Sequence, residues 1–175
     1  MATLNATNLK HASSSSNNIV LNADGSTTIS NLSKAGKILQ AKCTPSNSVA
    51  QASTTSNTYT DVTGIDLTFT PLFANSTIIL VTSFHGTALT NVNFSVRLTF
   101  NHSGISQTPV DSNQDGYSIS STGGYIDTYG TMCYTHTPST TNEITYRFQF
   151  RSINAVGTAY FNKKVSKIIA YEVAA

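Results

Sequence analysis

Phe94–Ser95–Val96–Arg97–Leu98–Thr99–Phe100 decides the fold of this chain, because four apolar residues alternate there with three polar ones. A period of two places Phe94, Val96, Leu98 and Phe100 on one face of an extended strand, and Ser95, Arg97 and Thr99 on the other. Ile144–Thr145–Tyr146–Arg147–Phe148–Gln149–Phe150–Arg151 repeats the pattern, with Ile144, Tyr146, Phe148 and Phe150 inward. Two such segments predict antiparallel sheet with one face on a core.

Further strands are expected on either side. Residues 37–42, 59–62, 65–69, 125–134, 158–161 and 167–173 read as strands, with Ile65, Leu67 and Phe69 sharing a face before Pro71 ends their run. The continuous apolar run 76–84 predicts a central strand buried on both faces, and the Ser- and Thr-rich stretch 44–57 predicts a loop. No helical period persists over ten residues. Roughly eight to ten strands at hairpin spacing predict an all-β antiparallel sandwich, jelly roll or barrel. The last strand would be an aggregation-prone edge if left open, so it is expected to be central in a sheet or covered by another subunit. That anchors the C-terminus and leaves the N-terminus as the extendable end.

Residues 1–36 contain no aromatic residue and few apolar ones. Asp24–Gly25 supplies turn residues between short strands expected at 19–22 and 27–30. A pair this small is marginal alone in water, so Ile19, Leu21, Ile29 and Leu32 are expected to be covered by other chains. The division is therefore 1–36, an extended docking and oligomerisation segment, and 37–175, the β-domain.

Composition limits the function. Of 175 residues 39% are hydrophobic and only 10% charged, with a net charge of +2, which disfavours nucleic-acid binding. Lys163, Lys164 and Lys167 are the nearest approach to a cationic cluster, and a sheet face or solvated loop accounts for them. No apolar run approaches the roughly 20 residues of a membrane span, and the start of the chain lacks the pattern of a signal peptide. Cys43 and Cys133 do not form a metal-ligand spacing and are expected to be free, buried thiols.

Catalytic chemistry is not apparent. His11, His85, His102 and His136 accompany no Gly-x-Ser-x-Gly elbow, and none of the eight acids stands out as a facing pair. Asp111–Ser112–Asn113–Gln114–Asp115–Gly116 places oxygen ligands at alternate positions, like the first half of a calcium loop, so Asp111, Asn113 and Asp115 are candidate calcium ligands. Thr122 stands where that loop needs a bidentate Glu, and a polar loop held by Asx turns is the competing reading. Tyr117, Tyr125, Tyr129 and Tyr134, interleaved with Gly116, Gly123, Gly124 and Gly130, are candidates for recognising a glycan or protein receptor. Tyr at alternate strand positions would equally pack a core.

Several stretches together carry a family resemblance. Residues 9–13 and 18–25, the junction 36–40, the segments 58–65 and 76–81, and the closing 166–175 resemble tail-fibre-like virion proteins of marine and cyanobacterial phages. That resemblance implies a jelly-roll body of the C1q/TNF type, homotrimeric assembly, and attachment to other virion proteins through the N-terminal segment. It also implies location in the virion, assembled in the host cytoplasm, with the β-domain displayed for host attachment. The chain lacks a long shaft, so capsid decoration or a head fibre of the same fold stands as the alternative. A polysaccharide-degrading enzyme and a surface lectin are the rivals from other classes.

Overall fold

The computed structural model describes residues 8–9, 12–13, 15, 19–23, 27–29, 36–45, 51–89, 91–111, 116–121, 123–153 and 157–175. Among these residues the fold is all-β, with fifteen strands and no helix. β1 (Asn8–Leu9), β2 (Ile19–Leu21) and β3 (Thr27–Ile29) make a small antiparallel sheet in that order. The expected pairing is present over 19–21 and 27–29, and β1 adds a strand that the sequence did not suggest.

The other strands form two six-stranded antiparallel sheets. The first contains β4 (Ile38–Cys43), β5 (Gln51–Thr54), β8 (Thr77–Ala88), β12 (Ile126–His136), β14 (Ala159–Asn162) and β15 (Lys167–Val173). The second contains β6 (Thr60–Asp61), β7 (Leu67–Phe69), β9 (Asn93–His102), β10 (Ile105–Pro109), β11 (Tyr117–Ser120) and β13 (Ile144–Ser152). The chain crosses repeatedly from one sheet to the other: β4–β5, then β6–β7, β8, β9–β11, β12, β13 and finally β14–β15. This is a β-sandwich with jelly-roll connectivity.

Alternation explains the core. Phe94, Val96 and Leu98 of β9 and Ile144, Tyr146, Phe148 and Phe150 of β13 are all buried, as are Ile65, Leu67 and Phe69. They meet Ile78, Leu80 and Phe84 of β8 and Phe161 of β14 in one continuous cluster. Its aromatic rings touch in sequence: Phe148 lies 5.1 Å from Phe161, which lies 5.8 Å from Phe150. Truncating one such ring to alanine costs about 3–5 kcal/mol in a packed core.

Two glycines are required by this packing. A β-carbon on Gly130 would come within 2.2 Å of the Phe84 ring, and one on Gly86 within 2.4 Å of the Phe94 ring. Gly130 therefore lies inside β12, where it makes room for a core aromatic.

The sheets correct several expectations. The stretch 44–57 contains β5, which pairs with β14. Short β10 and β11 both pair with β9, bringing the sandwich to twelve strands. β8 is central, with β12 along one edge and β15 then β14 along the other, but it is not buried on both faces. Its even-numbered residues are buried, whereas Ile79, Val81 and His85 are only half-buried and Ser83 is exposed. β15 lies between β4 and β8, as expected of a strand too apolar for an edge.

The two outer faces differ in chemistry. On the first sheet Tyr171 is paired with Ile79, and Ile169 with Val81. These four residues and Val173 point outward half-buried, and Ile38 of β4 is 56% exposed beside Val173. On the second sheet the outward positions carry charges and amides. Arg147 donates from Nε and Nη2 to the Asp66 carboxylate, and from Nη1 to Asp61 Oδ2 at 2.8 Å. Gln149 donates to Asp61 Oδ1 at 2.7 Å and accepts from Arg97 Nε at 2.9 Å. The Tyr59 ring lies under Arg97 and Arg151, 3.9 and 4.6 Å from the two guanidinium carbons. Ser95 and Thr99 point outward yet are buried beneath this layer.

Candidate functional site

The register of β8 with β12 sets Tyr129 opposite His85 and Asp127 opposite Thr87, all on the outer face of the first sheet. Tyr125, one residue before β12, has the same parity, so its side chain continues the row of Asp127 and Tyr129. The His85 and Tyr129 rings stack at 4.3 Å and 5°. His85 Nε2 meets Asp127 Oδ1 at 3.1 Å, and Thr87 Oγ1 donates to the same oxygen at 2.5 Å. The Tyr125 hydroxyl donates to Asp127 Oδ2 at 3.0 Å. The Thr87 hydrogen bond, helped by those of His85 and Tyr125, holds the Asp127 carboxyl below the usual carboxylate range although burial opposes it. Tyr125 is 64% exposed and Tyr129 is 74% exposed, so a fixed ring and an ionised carboxylate face solvent together.

This group does not complete a nucleophilic relay. The other ring nitrogen of His85, Nδ1, is buried with no hydrogen-bond partner, so no hydroxyl or thiol of the described residues meets it. The backbone N–H of His85 donates to Ser166 Oγ, which itself donates to the Asn162 carbonyl, so Ser166 is engaged in the backbone. The two acids that lie close together, Asp61 and Asp66, are both clamped by Arg147. Burial works against ionisation of Asp61, but hydrogen bonds from Gln149 and Arg147 outweigh it and hold the group below its ordinary range. Both carboxylates of that pair are engaged by one guanidinium, an arrangement that braces the outer face of the second sheet.

The four candidate tyrosines divide by parity and position. Tyr125 and Tyr129 are at the surface. Tyr134 points inward, packs against the core cluster and has a raised pKa, first through burial. Tyr117 is 36% exposed, but its ring meets that of Phe84 edge-on at 5.2 Å and its hydroxyl lies 3.2 Å from Thr128 Oγ1, which fixes it against the core. The alternation of residues 125–134 carried this signal, since 125, 127 and 129 share a face that 134 does not. His85 and Asp127 were missed because they are 42 residues apart and meet only through the strand register.

Of the calcium candidates, Asp111 borders a shallow hollow with Cys133 and Tyr134, while Asn113 and Asp115 lie outside the described residues. Among the described residues no group of three or more His, Cys, Asp and Glu side chains is placed to hold a metal ion. In the N-terminal sheet Ile19 is half-buried, Leu21 is 46% exposed, and Ile29 is the register partner of Ile19. Leu32 lies outside the described residues. Cys43 and Cys133 are unbonded but exposed, not buried. Lys163 is buried with Nζ 3.4 Å from the Thr63 carbonyl, and Lys167 donates to the Pro45 carbonyl at 3.0 Å, so two of the three lysines are used within the fold.

Compared with known protein families and with curated proteins, the sequence matches none.

Proposed function

We propose that this chain is a structural and binding protein, not an enzyme, that acts as a homotrimer in a phage particle. In this reading it is tail-fibre-like, with residues 1–36 docking on other virion proteins and the β-domain displayed for host attachment. The observation that carries the association is the contrast between the two outer faces. The second sheet covers its outward positions with Arg147, Asp61, Asp66, Gln149 and the arginines over Tyr59. The first turns Ile79, Val81, Ile169, Tyr171 and Val173 outward as one apolar band.

A contiguous apolar band on an otherwise polar molecule marks a surface that another protein covers. A second copy of the chain supports the reading best, because the short N-terminal sheet also needs a partner to bury its few apolar residues. The family resemblance of the junction 36–40 and the closing strand points the same way. Labelled antibody against the β-domain, imaged on intact particles, tests the placement. Label confined to the tail, in few copies, is the expected result. Label spread over the capsid would replace tail attachment with decoration, and particles without label would refute both.

A further inference from the structure

We infer that Tyr129, Tyr125 and Asp127 form a binding site for a neutral pyranose sugar, with His85 as the group that positions the first and last of them. The inference rests on reading the β-domain as an attachment domain and assigns that attachment a ligand class. A pyranose presents a face of C–H bonds and a rim of hydroxyl donors, so its site needs an exposed aromatic ring and an acceptor beside it. Tyr129 supplies the ring. One of its faces lies on His85 at 4.3 Å and 5°, while the residue remains 74% exposed, which leaves the other face open. Because the ring is already held by stacking, little side-chain freedom is lost when a sugar settles on it.

Asp127 supplies the acceptor. Its Oδ1 receives Thr87, His85 and, at 3.1 Å, the Tyr125 hydroxyl, whereas among the described residues Oδ2 receives that shared hydroxyl alone, at 3.0 Å. An ionised carboxylate has about four lone-pair positions, so Oδ2 retains capacity toward solvent for a sugar hydroxyl. The side chain is 40% exposed, so that capacity is reachable. Tyr160, on the same transverse row as Thr87, adds a further aromatic edge to this end of the sheet. The negative charge of Asp127 disfavours acidic sugars, which restricts the class to neutral ones. The unpartnered, buried Nδ1 of His85 assigns that residue to holding the ring and the carboxylate, with no contact of its own to the ligand.

Saturation-transfer NMR on the full chain with methyl β-galactoside, methyl β-glucoside and methyl α-mannoside tests this, with the mass of each sample measured by light scattering. The expected result is transfer to ring C–H protons of at least one sugar. Tyr129→Ala weakens that binding roughly tenfold, the value of one aromatic face. Tyr129→Phe preserves it, and Asp127→Asn weakens it by about tenfold through loss of a charge-assisted hydrogen bond. No transfer from any of the three sugars, or transfer indifferent to Tyr129→Ala, overturns the assignment. A change of mass in Tyr129→Ala also overturns it, because the ring would then belong to a subunit joint. Loss of sugar binding in an intact assembly leaves the association reading standing, and sugar binding by a single-chain species refutes the association alone.

Discussion

Cys43 and Cys133 stand on one transverse row of the first sheet, with Ile169 and Val81 between them on the two intervening strands. Three interstrand steps of about 4.8 Å separate their backbones by roughly 14 Å. A disulfide spans a Cα separation of at most ~7 Å, so the two thiols cannot join within one chain. Both are exposed, and they flank the apolar band proposed for subunit contact. Mild oxidation is therefore expected to give cross-linked multimers on a non-reducing gel, and Cys43→Ser with Cys133→Ser abolishes them. A faster-migrating oxidised monomer would contradict the strand order.

Gly130→Ala tests the packing of the sandwich. The added methyl meets the Phe84 ring, which is itself held by Phe94 and Tyr117. Overpacking of this kind destabilises by about 1–3 kcal/mol. Denaturant unfolding is expected to show that loss, and Phe84→Leu in the Gly130→Ala background to recover part of it. A neutral Gly130→Ala would mean that the ring lies elsewhere.

The strands were legible where burial is one-sided. Residues 94–100 and 144–151 alternate because one face meets the core, and the limits of β15 coincide with its apolar run. β5 was not legible, since Gln51–Thr54 is extended only because β14 lies beside it. The apolar run of β8 does not reveal its one-sided burial, because Ile79 and Val81 are as apolar as the core residues between which they alternate. At the candidate site, parity could have separated Tyr129 from Tyr134. The His85–Asp127 contact depends on register between distant strands and left no local trace.

Acid stability should report two groups of opposite type. Burial first, then the nearby His102, lowers the His136 pKa from 6.5 to about 4, and its Nδ1 lies 2.8 Å from the Tyr146 hydroxyl. The unfolded histidine thus takes up a proton at higher pH than the folded one, so stability falls as pH drops from 6.5 toward 4. Denaturant midpoints between pH 7 and pH 4 are expected to decline in the parent, with a shallower decline in His136→Gln. Equal slopes would contradict the buried, neutral histidine.

Glu172 is the acidic group of the two. Its side chain is buried, and its carboxylate accepts the backbone N–H groups of Leu72 and Phe73 and the Gln40 amide. Burial alone would raise its pKa, but the Leu72 amide and the other donors hold it below 4.5. Its contribution is present above that value and is lost as pH falls through the folded pKa. Glu172→Gln is expected to destabilise the protein at pH 7 by about 1–3 kcal/mol through lost charge-assisted bonds. The difference from the parent should shrink in acid, and a constant difference would contradict the assignment.

In the proposed trimer the outward apolar band of β8 and β15 is covered by further copies of this chain. Sedimentation equilibrium of the full chain, beside Val81→Glu and Ile169→Glu, measures this directly. A trimeric mass is expected for the parent, and folded single chains for both variants, because each glutamate would point into water in an isolated sandwich. A single-chain mass for the folded parent, or variants that assemble like it, would refute the proposed trimer.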